Sequence, residues 1–360
     1  MVVEPGPFLA AIGYVSGFAP AVSPVVFTPQ GRMVRVSVAH DHRYAEYWMD
    51  AVTPLPQRFA IRLQTLPAIA TELGEDRLVV TLGSAAKFQA GSRVWRINLL
   101  AKSEDGRPEL KIQDSLAWDN SLPACLGFAK QATAPQRTKL AMDCVCLEWR
   151  SDRRCVFGAS DQILMACLQF GDTGRTGVTA LLVHRRDVPL VQATCLSGGA
   201  VRIHMGVRHV SVNCGKRMAV FPTNDGKFPP VAELVREARS LGRNRGKAAG
   251  FASVTANQLR HCVRQGQIVS DSITLRTARN RLIVSSEADG SQAEAELSDR
   301  CDGNFTPTSL QAAQVRRMAL AWPGSRIDIA TPGPGLPIVF REASKGRELV
   351  SLVVPRGSQA

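Results

Sequence analysis

"GAVRIHMGVRHVSVNCGKRMAVFPT", residues 199–223, alternates apolar and polar side chains at Val201, Ile203 and Met205, turns at a glycine and returns as β. A period of two sends successive side chains to opposite faces of a strand, so the segment predicts antiparallel strands joined by tight turns. Two other segments have the same form: "DRLVVTLGSAAKFQAGSRVWRINLLA" (76–101) and "SRIDIATPGPGLPIVFREASKGRELVSLVV" (325–354). Their openings at Leu78, Val201 and Ile327 lie 123 and 126 residues apart. That period is too long for a solenoid repeat and suits a tandem of domains.

A second element recurs in step with the first. "MVRVSVAHDHRYAEYW" (33–48), "RCVFGASDQILMACLQF" (154–170) and "RLIVSSEADGSQAEAEL" (281–297) each run strand, small polar bend with an acid, strand. Asp41, Asp161 and Asp289 are spaced 120 and 128 residues apart. Between these elements lie helical stretches, two per repeat. The first set covers 7–18, 122–132 and 255–266, and the second covers 65–74, 186–198 and 308–322. Thr65 and Asp187 stand before a proline near a first turn, Thr308 stands as a cap, and Gly74 and Gly198 sit where a helix should stop. The spacing therefore predicts three α+β domains, 1–112, 113–230 and 231–360, each with two helices packed on antiparallel sheets. "NDGKFPPVAEL" (224–234) closes the second and leads into the helical, Arg-rich stretch 232–250. Asn224-Asp225-Gly226 is a turn signal, and Phe228 against Pro229 and Pro230 marks a segment held in place rather than a loose linker.

The chain has 360 residues, 45% of them apolar and 21% charged, enough for several cores. No run approaches 18 uninterrupted apolar residues, so no membrane-spanning helix is expected, and the N-terminus lacks the basic region of a signal peptide. The nine cysteines contain no CxxC, which predicts buried core thiols in a reducing cytoplasm. The net charge of +13 points to an anionic partner, nucleic acid before membrane or acidic protein.

This order of elements resembles the bacterial sliding clamp, the β subunit of DNA polymerase III, over essentially the whole chain. "NDGKFPPVAEL" looks like the family's segment between its second and third domains. "LEWRSDRRCVFGASDQILMA" (147–166) is similar to its V-A-T-D-G-H-R-L-A element, and "LLVHRRDVPLVQATCLSGGAVRIHMG" (181–206) to its strand, basic pair, helix and Gly-rich turn. "RLIVSSEADGSQAEAEL" resembles the third-domain L-x-I-x-A-x-x-x-E-x-x-E-A-E-E pattern, and "LVSLVVPRG" stands where the family ends in a strand and M-P-M-R. The resemblance implies half of a ring: three clamp domains per chain and a head-to-tail homodimer around double-stranded DNA, with strands outside and helices lining the hole. It also implies a processivity factor with no catalysis and no cofactor, whose partners are DNA polymerase and the clamp loader.

Three sets of residues follow. Sequence-independent attraction to phosphates needs long exposed cations, and the helical stretches and their flanks supply Lys130, Arg185, Arg186, Arg260, Arg264, Arg316 and Arg317. The first domain's helices supply none. The resemblance implies a client-peptide groove at Ser160, Met165, Pro229, Leu234, Leu352, Val353, Val354 and Pro355. The family's His-Arg pair there is replaced by Ile163-Leu164, its Tyr by Val231 and its final M-P-M-R by Val354-Pro355-Arg356-Gly357. It implies a dimer seam at Trp95 and Ile97 in "SRVWRINLL" (92–100), opposite Cys262-Val263-Arg264. Arg264 can face the hole or the seam, not both.

Enzyme motifs are weak. "GDTGRTG" (171–177) lacks the GK[ST] of a P-loop and reads as a loop between strands. His40-Asp41-His42 puts two imidazoles on one strand face, but the matching repeats carry Ser160-Asp161 and Ala288-Asp289, so a surface bend is expected rather than a metal site. The alternative from another class is a clamp-derived, non-encircling interaction or regulatory module of replication or repair.

Overall fold

The computed structural model describes residues 1–101, 106–136, 138, 140–196, 198–243, 246, 248–298, 300–323 and 326–356. Seven α-helices are present among them: α1 Pro5–Ser16, α2 Leu66–Glu72, α3 Leu122–Lys130, α4 Val188–Cys195, α5 Ala232–Arg243, α6 Ala256–Val269 and α7 Ala312–Ala321. Each helical stretch of the sequence yields one. Gly74 and Gly198 follow α2 and α4 at positive φ, 61° and 75°, the left-handed conformation that a glycine stop supplies without a Cβ penalty. Thr308 is a correction. It lies in the strand Thr308–Gln311, and Gln311 occupies the N-cap position of α7 without a side-chain cap bond. None of the helices is long and apolar enough to cross a membrane.

The chain forms two compact units. Met1–Pro123 with Pro189–Thr223 make one, and Ala124–Val188 with Asn224–Ala360 make the other. Residues of the expected middle domain, 113–230, fall into both.

The first unit holds an eight-stranded antiparallel sheet and a four-stranded one. In the larger, the strand Arg43–Asp50 pairs with Arg217–Pro222, so that Tyr44 faces Val220 and Ala45 faces Ala219. The hairpin between Met33–His40 and Arg43–Asp50 turns at Asp41 and His42, φ 49° and 60°, which is the surface bend read from the repeats. Phe8, Ile12 and Val15 of α1 enter one core with Phe27, Phe59, Leu78 and Phe88, where Phe27 and Phe59 stack at 4.6 Å. The smaller sheet ends in the strand Arg93–Asn98.

The second unit holds a nine-stranded sheet and a four-stranded one. In the larger, Ile163–Phe170 pairs with Arg347–Val353 in an antiparallel ladder from Ile163–Val353 to Gln169–Arg347. One face carries Leu164, Ala166, Leu168 and Val350 and is covered by Val231, Val235 and Ala238, with Phe228 packed alongside. The segment 224–234 is therefore held in place as its sequence suggested. Asn224 Oδ1 accepts the Gly226 N–H at 2.9 Å, and the Ala141 N–H bonds the Lys227 carbonyl at 2.8 Å. On the other face α3 comes so close that a Cβ on Gly158 would sit 1.8 Å from the Ala129 carbonyl oxygen. Cys125 of α3 places its Sγ 2.7 Å from that of Cys167. All nine cysteines are free and buried.

A buried ion group pins α5 to this sheet. Glu348, 1% exposed, accepts Arg341 Nε at 2.6 Å and Arg239 Nε at 2.9 Å, and the Arg239 guanidinium lies 4.9 Å from the Phe170 ring centre. Burial works to raise the Glu348 carboxyl pKa. The hydrogen bond and charge of Arg341, then those of Arg239, outweigh it and leave it below the ordinary glutamate value. A folded-state pKa below the unfolded one adds stability above the unfolded value, and that contribution disappears as pH falls through the folded one. Glu348→Gln is expected to destabilise the second unit by roughly 3–5 kcal/mol, because two desolvated guanidiniums lose their counter-charge. In chemical denaturation the variant should also lose less stability than the parent as pH falls below about 4.

Candidate functional site

The basic residues divide into two groups, both in the second unit. The first sits at the end of α3 and in the turn before α4. Lys130 and Arg185 are half-buried and Arg186 is exposed. Arg185 donates to the Ala134 carbonyl at 2.9 Å. Burial, and then the neighbouring Arg185 charge, lower the Lys130 pKa. The turn itself is organised by a residue that sequence reading passed over. His184 Nε2 lies 3.3 Å from Oδ2 of buried Asp143, and its Nδ1 accepts the Arg186 N–H at 3.1 Å. The Arg185 N–H bonds the Asp143 carbonyl at 3.0 Å. A histidine next to a basic pair gives no signal of this in sequence, because its partner lies 41 residues away.

The second group lies on α6 and α7. Helix α6 begins with a capping box, in which Thr255 Oγ1 accepts the Gln258 N–H at 3.2 Å and Gln258 Oε1 accepts the Thr255 N–H at 2.9 Å. Leu259, Cys262, Val263 and Gly266 face inward, and a Cβ on Gly266 would meet Ile273 Cγ2 at 2.7 Å. Arg264, Arg316 and Arg317 are exposed. Arg316 donates to Gln267 Oε1 at 3.0 Å, and Arg317 donates to Gln314.

Arg260 is a correction. Its guanidinium donates to the carbonyls of Ala319 (2.9 Å) and Trp322 (2.5 Å) and to Asn257 Oδ1 (3.0 Å). These carbonyls stand at the end of α7, where the helix leaves its last acceptors unpaired. Arg260 thus ties two helices together with three of its five N–H donors.

The expected groove residues also divide. Val354 is half-buried, with its N–H on the Gln162 carbonyl at 2.9 Å; Ser160, Pro229 and Leu352 are half-buried, and Leu234 is 53% exposed. Met165 and Val353 are corrections. They are 0% and 1% exposed, and by strand alternation they lie on the sheet face that carries Cys167 and meets α3. Pro355 is buried as well. Leu164 and Leu352, directly paired across the ladder, are the residues on the face shared with Val231 and Val235. The alternation could not reveal this, because both faces of the sheet are apolar.

At the expected seam, Trp95 and Ile97 are half-buried against the first unit's own core, and Val94, Arg96 and Asn98 point outward. Their strand, Arg93–Asn98, is a sheet edge. Arg93 is taken up by Asp76 Oδ2 at 2.8 Å and the Leu73 carbonyl at 3.1 Å. In the second unit the strand Ser291–Ser298 is likewise an edge; its Glu294 and Glu296 are exposed and pair with Arg276 and Arg281. Helix α6 lies beside it, with Cys262 Sγ 3.6 Å from the Glu296 carbonyl.

No protein-family model matches the sequence, and no curated protein matches it. Solved structures do. The DNA polymerase sliding clamp of Pseudomonas aeruginosa superposes with a TM-score of 0.84 at 15% identity, covering 99% of this chain and 98% of that one. The DNA polymerase III β subunit of Thermotoga maritima gives 0.81 at 14% identity over 98% of each chain. A putative DNA polymerase III β subunit from Eubacterium rectale gives 0.81 at 10% identity over 99% of each. The chain therefore has the α+β sliding-clamp fold along nearly its whole length.

The two kinds of arginine should separate on mutation. Arg260→Ala is expected to lower stability by about 1–3 kcal/mol, the cost of leaving helix-end carbonyls unpaired. Its affinity for a short duplex at low salt should stay within about twofold of the parent, read by denaturation and fluorescence anisotropy.

Proposed function

We propose that this chain is a DNA sliding clamp, a polymerase processivity factor that closes head to tail as a homodimer around double-stranded DNA. The observation that carries the reading is the extent of the likeness: a clamp fold matched over 99% of this chain and 98% of a known clamp. In this reading residues 1–112, 113–230 and 231–360 are three clamp domains, six around the ring, and the protein works in the cytoplasm by topology rather than by chemistry.

Two features of the surface support closure. An exposed sheet edge is an aggregation hazard unless a partner covers it. This chain has one edge presenting outward Arg96 and another presenting Glu294 and Glu296. Joining one copy's first unit to another copy's second would cover both edges at once. DNA would be attracted by Lys130, Arg185, Arg186, Arg264, Arg316 and Arg317. DNA polymerase and clamp loader would dock through a short peptide at Ser160, Leu164, Pro229, Leu234, Leu352 and Val354.

The net charge of +13 favours keeping a second reading, a non-encircling module that uses the clamp fold to bind a replication or repair protein. Light scattering over a dilution series separates the two. The subunit is 38.9 kDa, and the ring reading expects a species of twice that mass that Arg96→Glu shifts toward monomer. A monomer at every concentration gives the lead to the module. For the groove, Val354→Asp is expected to weaken binding of a peptide with aliphatic and aromatic anchors at least tenfold without changing the thermal midpoint, measured by anisotropy and calorimetry.

A further inference from the structure

Resting on the reading of the chain as a DNA clamp, we infer that its duplex-contacting surface is confined to the second unit, at the end of α3, the turn 185–186 and helices α6 and α7. Helices α1 and α2 of the first unit form a face that bears no phosphate contact.

Helices α1 and α2 of the first unit bear no cation. From Pro5 to Ser16 there is no charged side chain. The inward positions are Phe8, Ala11, Ile12, Tyr14 and Val15, and the outward ones are Gly6, Leu9 and Gly13, with Gly17 just beyond the helix. These outward residues recur at intervals of three and four, so they form one stripe along the helix. Packing within this chain does not require the glycines, since a Cβ added at Gly6 or Gly13 would meet nothing within 4 Å. Helix α2 exposes Pro67, Ala68, Thr71 and Glu72, whose only charge is negative. Neither helix carries a cation of its own, and the arginines at their ends, Arg77 and Arg93, are paired with Glu4 and Asp76.

The second unit is the opposite. It carries 28 Lys and Arg against 19 Asp and Glu, +9, whereas the first carries 16 against 12, +4. Helices α3, α6 and α7 contain no Asp or Glu. Of their exposed cations, Arg316 and Arg317 hydrogen-bond glutamine side chains, and Arg264 is exposed on α6. At the end of α3, burial and then the neighbouring Arg185 charge lower the Lys130 pKa. Such a surface holds counter-ions that a phosphate backbone displaces on binding. Each neutralised phosphate contributes about 0.9 to the slope of log affinity against log salt.

Photo-crosslinking tests this on the full-length protein with a short linear duplex. A benzophenone amino acid replaces Leu9, 41% exposed on α1, or Leu320, 61% exposed on α7. Crosslinking to DNA is expected from position 320 and at least tenfold less from position 9. Arg316→Glu combined with Arg317→Glu should lower the salt slope by about 1.8, and Glu72→Gln should leave it unchanged. Equal crosslinking from both positions, or an unchanged slope in the double variant, overturns the inference while leaving the clamp reading standing. A parent protein that does not bind the duplex at low salt overturns both. Binding of poly-glutamate in place of DNA at the same arginines overturns the inference and identifies an acidic polypeptide as the occupant.

Discussion

The structure depends on two antiparallel ladders that join strands far apart in the chain. Arg43–Asp50 pairs with Arg217–Pro222, and Ile163–Phe170 pairs with Arg347–Val353. Each satisfies a row of backbone donors and acceptors that would otherwise line an open edge. The first ladder extends a four-strand run of the opening repeat into an eight-stranded sheet, and the second extends a four-strand run of the middle repeat into a nine-stranded one. The middle repeat therefore gives strands to two sheets. This is why the compact units, Met1–Pro123 with Pro189–Thr223 and Ala124–Val188 with Asn224–Ala360, do not coincide with the sequence repeats.

Once the ladders are made, the remaining contacts fix what lies over them. The face bearing Leu164, Ala166 and Leu168 is closed by α5 and by 228–231, and the Arg239–Glu348–Arg341 group locks that closure. The opposite face accepts α3 only because Gly158 has no side chain at the point of contact. Among the sheet edges are Arg93–Asn98 and Ser291–Ser298. They carry charged side chains and lie at the ends of four-stranded sheets, and charge on an edge opposes indiscriminate pairing.

Much of the candidate site was legible by composition and little of it by detail. The basic character of α6 and α7 came directly from Arg264, Arg316 and Arg317 sitting among apolar neighbours. Arg260 looked the same in sequence and behaves differently, because its position within reach of two terminal carbonyls of α7 is a product of helix packing. Met165 and Leu164 are adjacent and both apolar, so only the sheet's placement between α3 and α5 tells which one packs with Val231 and Val235. His184 has a clear structural task, holding the 185–186 turn against Asp143, and left no pattern by which to find it.

The sequence by itself determined the local elements: seven helical stretches, strands of period two, glycine stops at 74 and 198, and bends at Asp41 and Asp289, where positive φ suits a hairpin turn. These follow from interactions within a few residues of one another, which the order of side chains records directly. The +13 charge and its surplus after residue 112 are equally a matter of counting. Tertiary structure decided the pairing of distant strands, the face each apolar side chain occupies and which arginines remain available to solvent. Those outcomes rest on hydrogen bonds and ion pairs between residues tens to hundreds of positions apart, which local propensity does not encode.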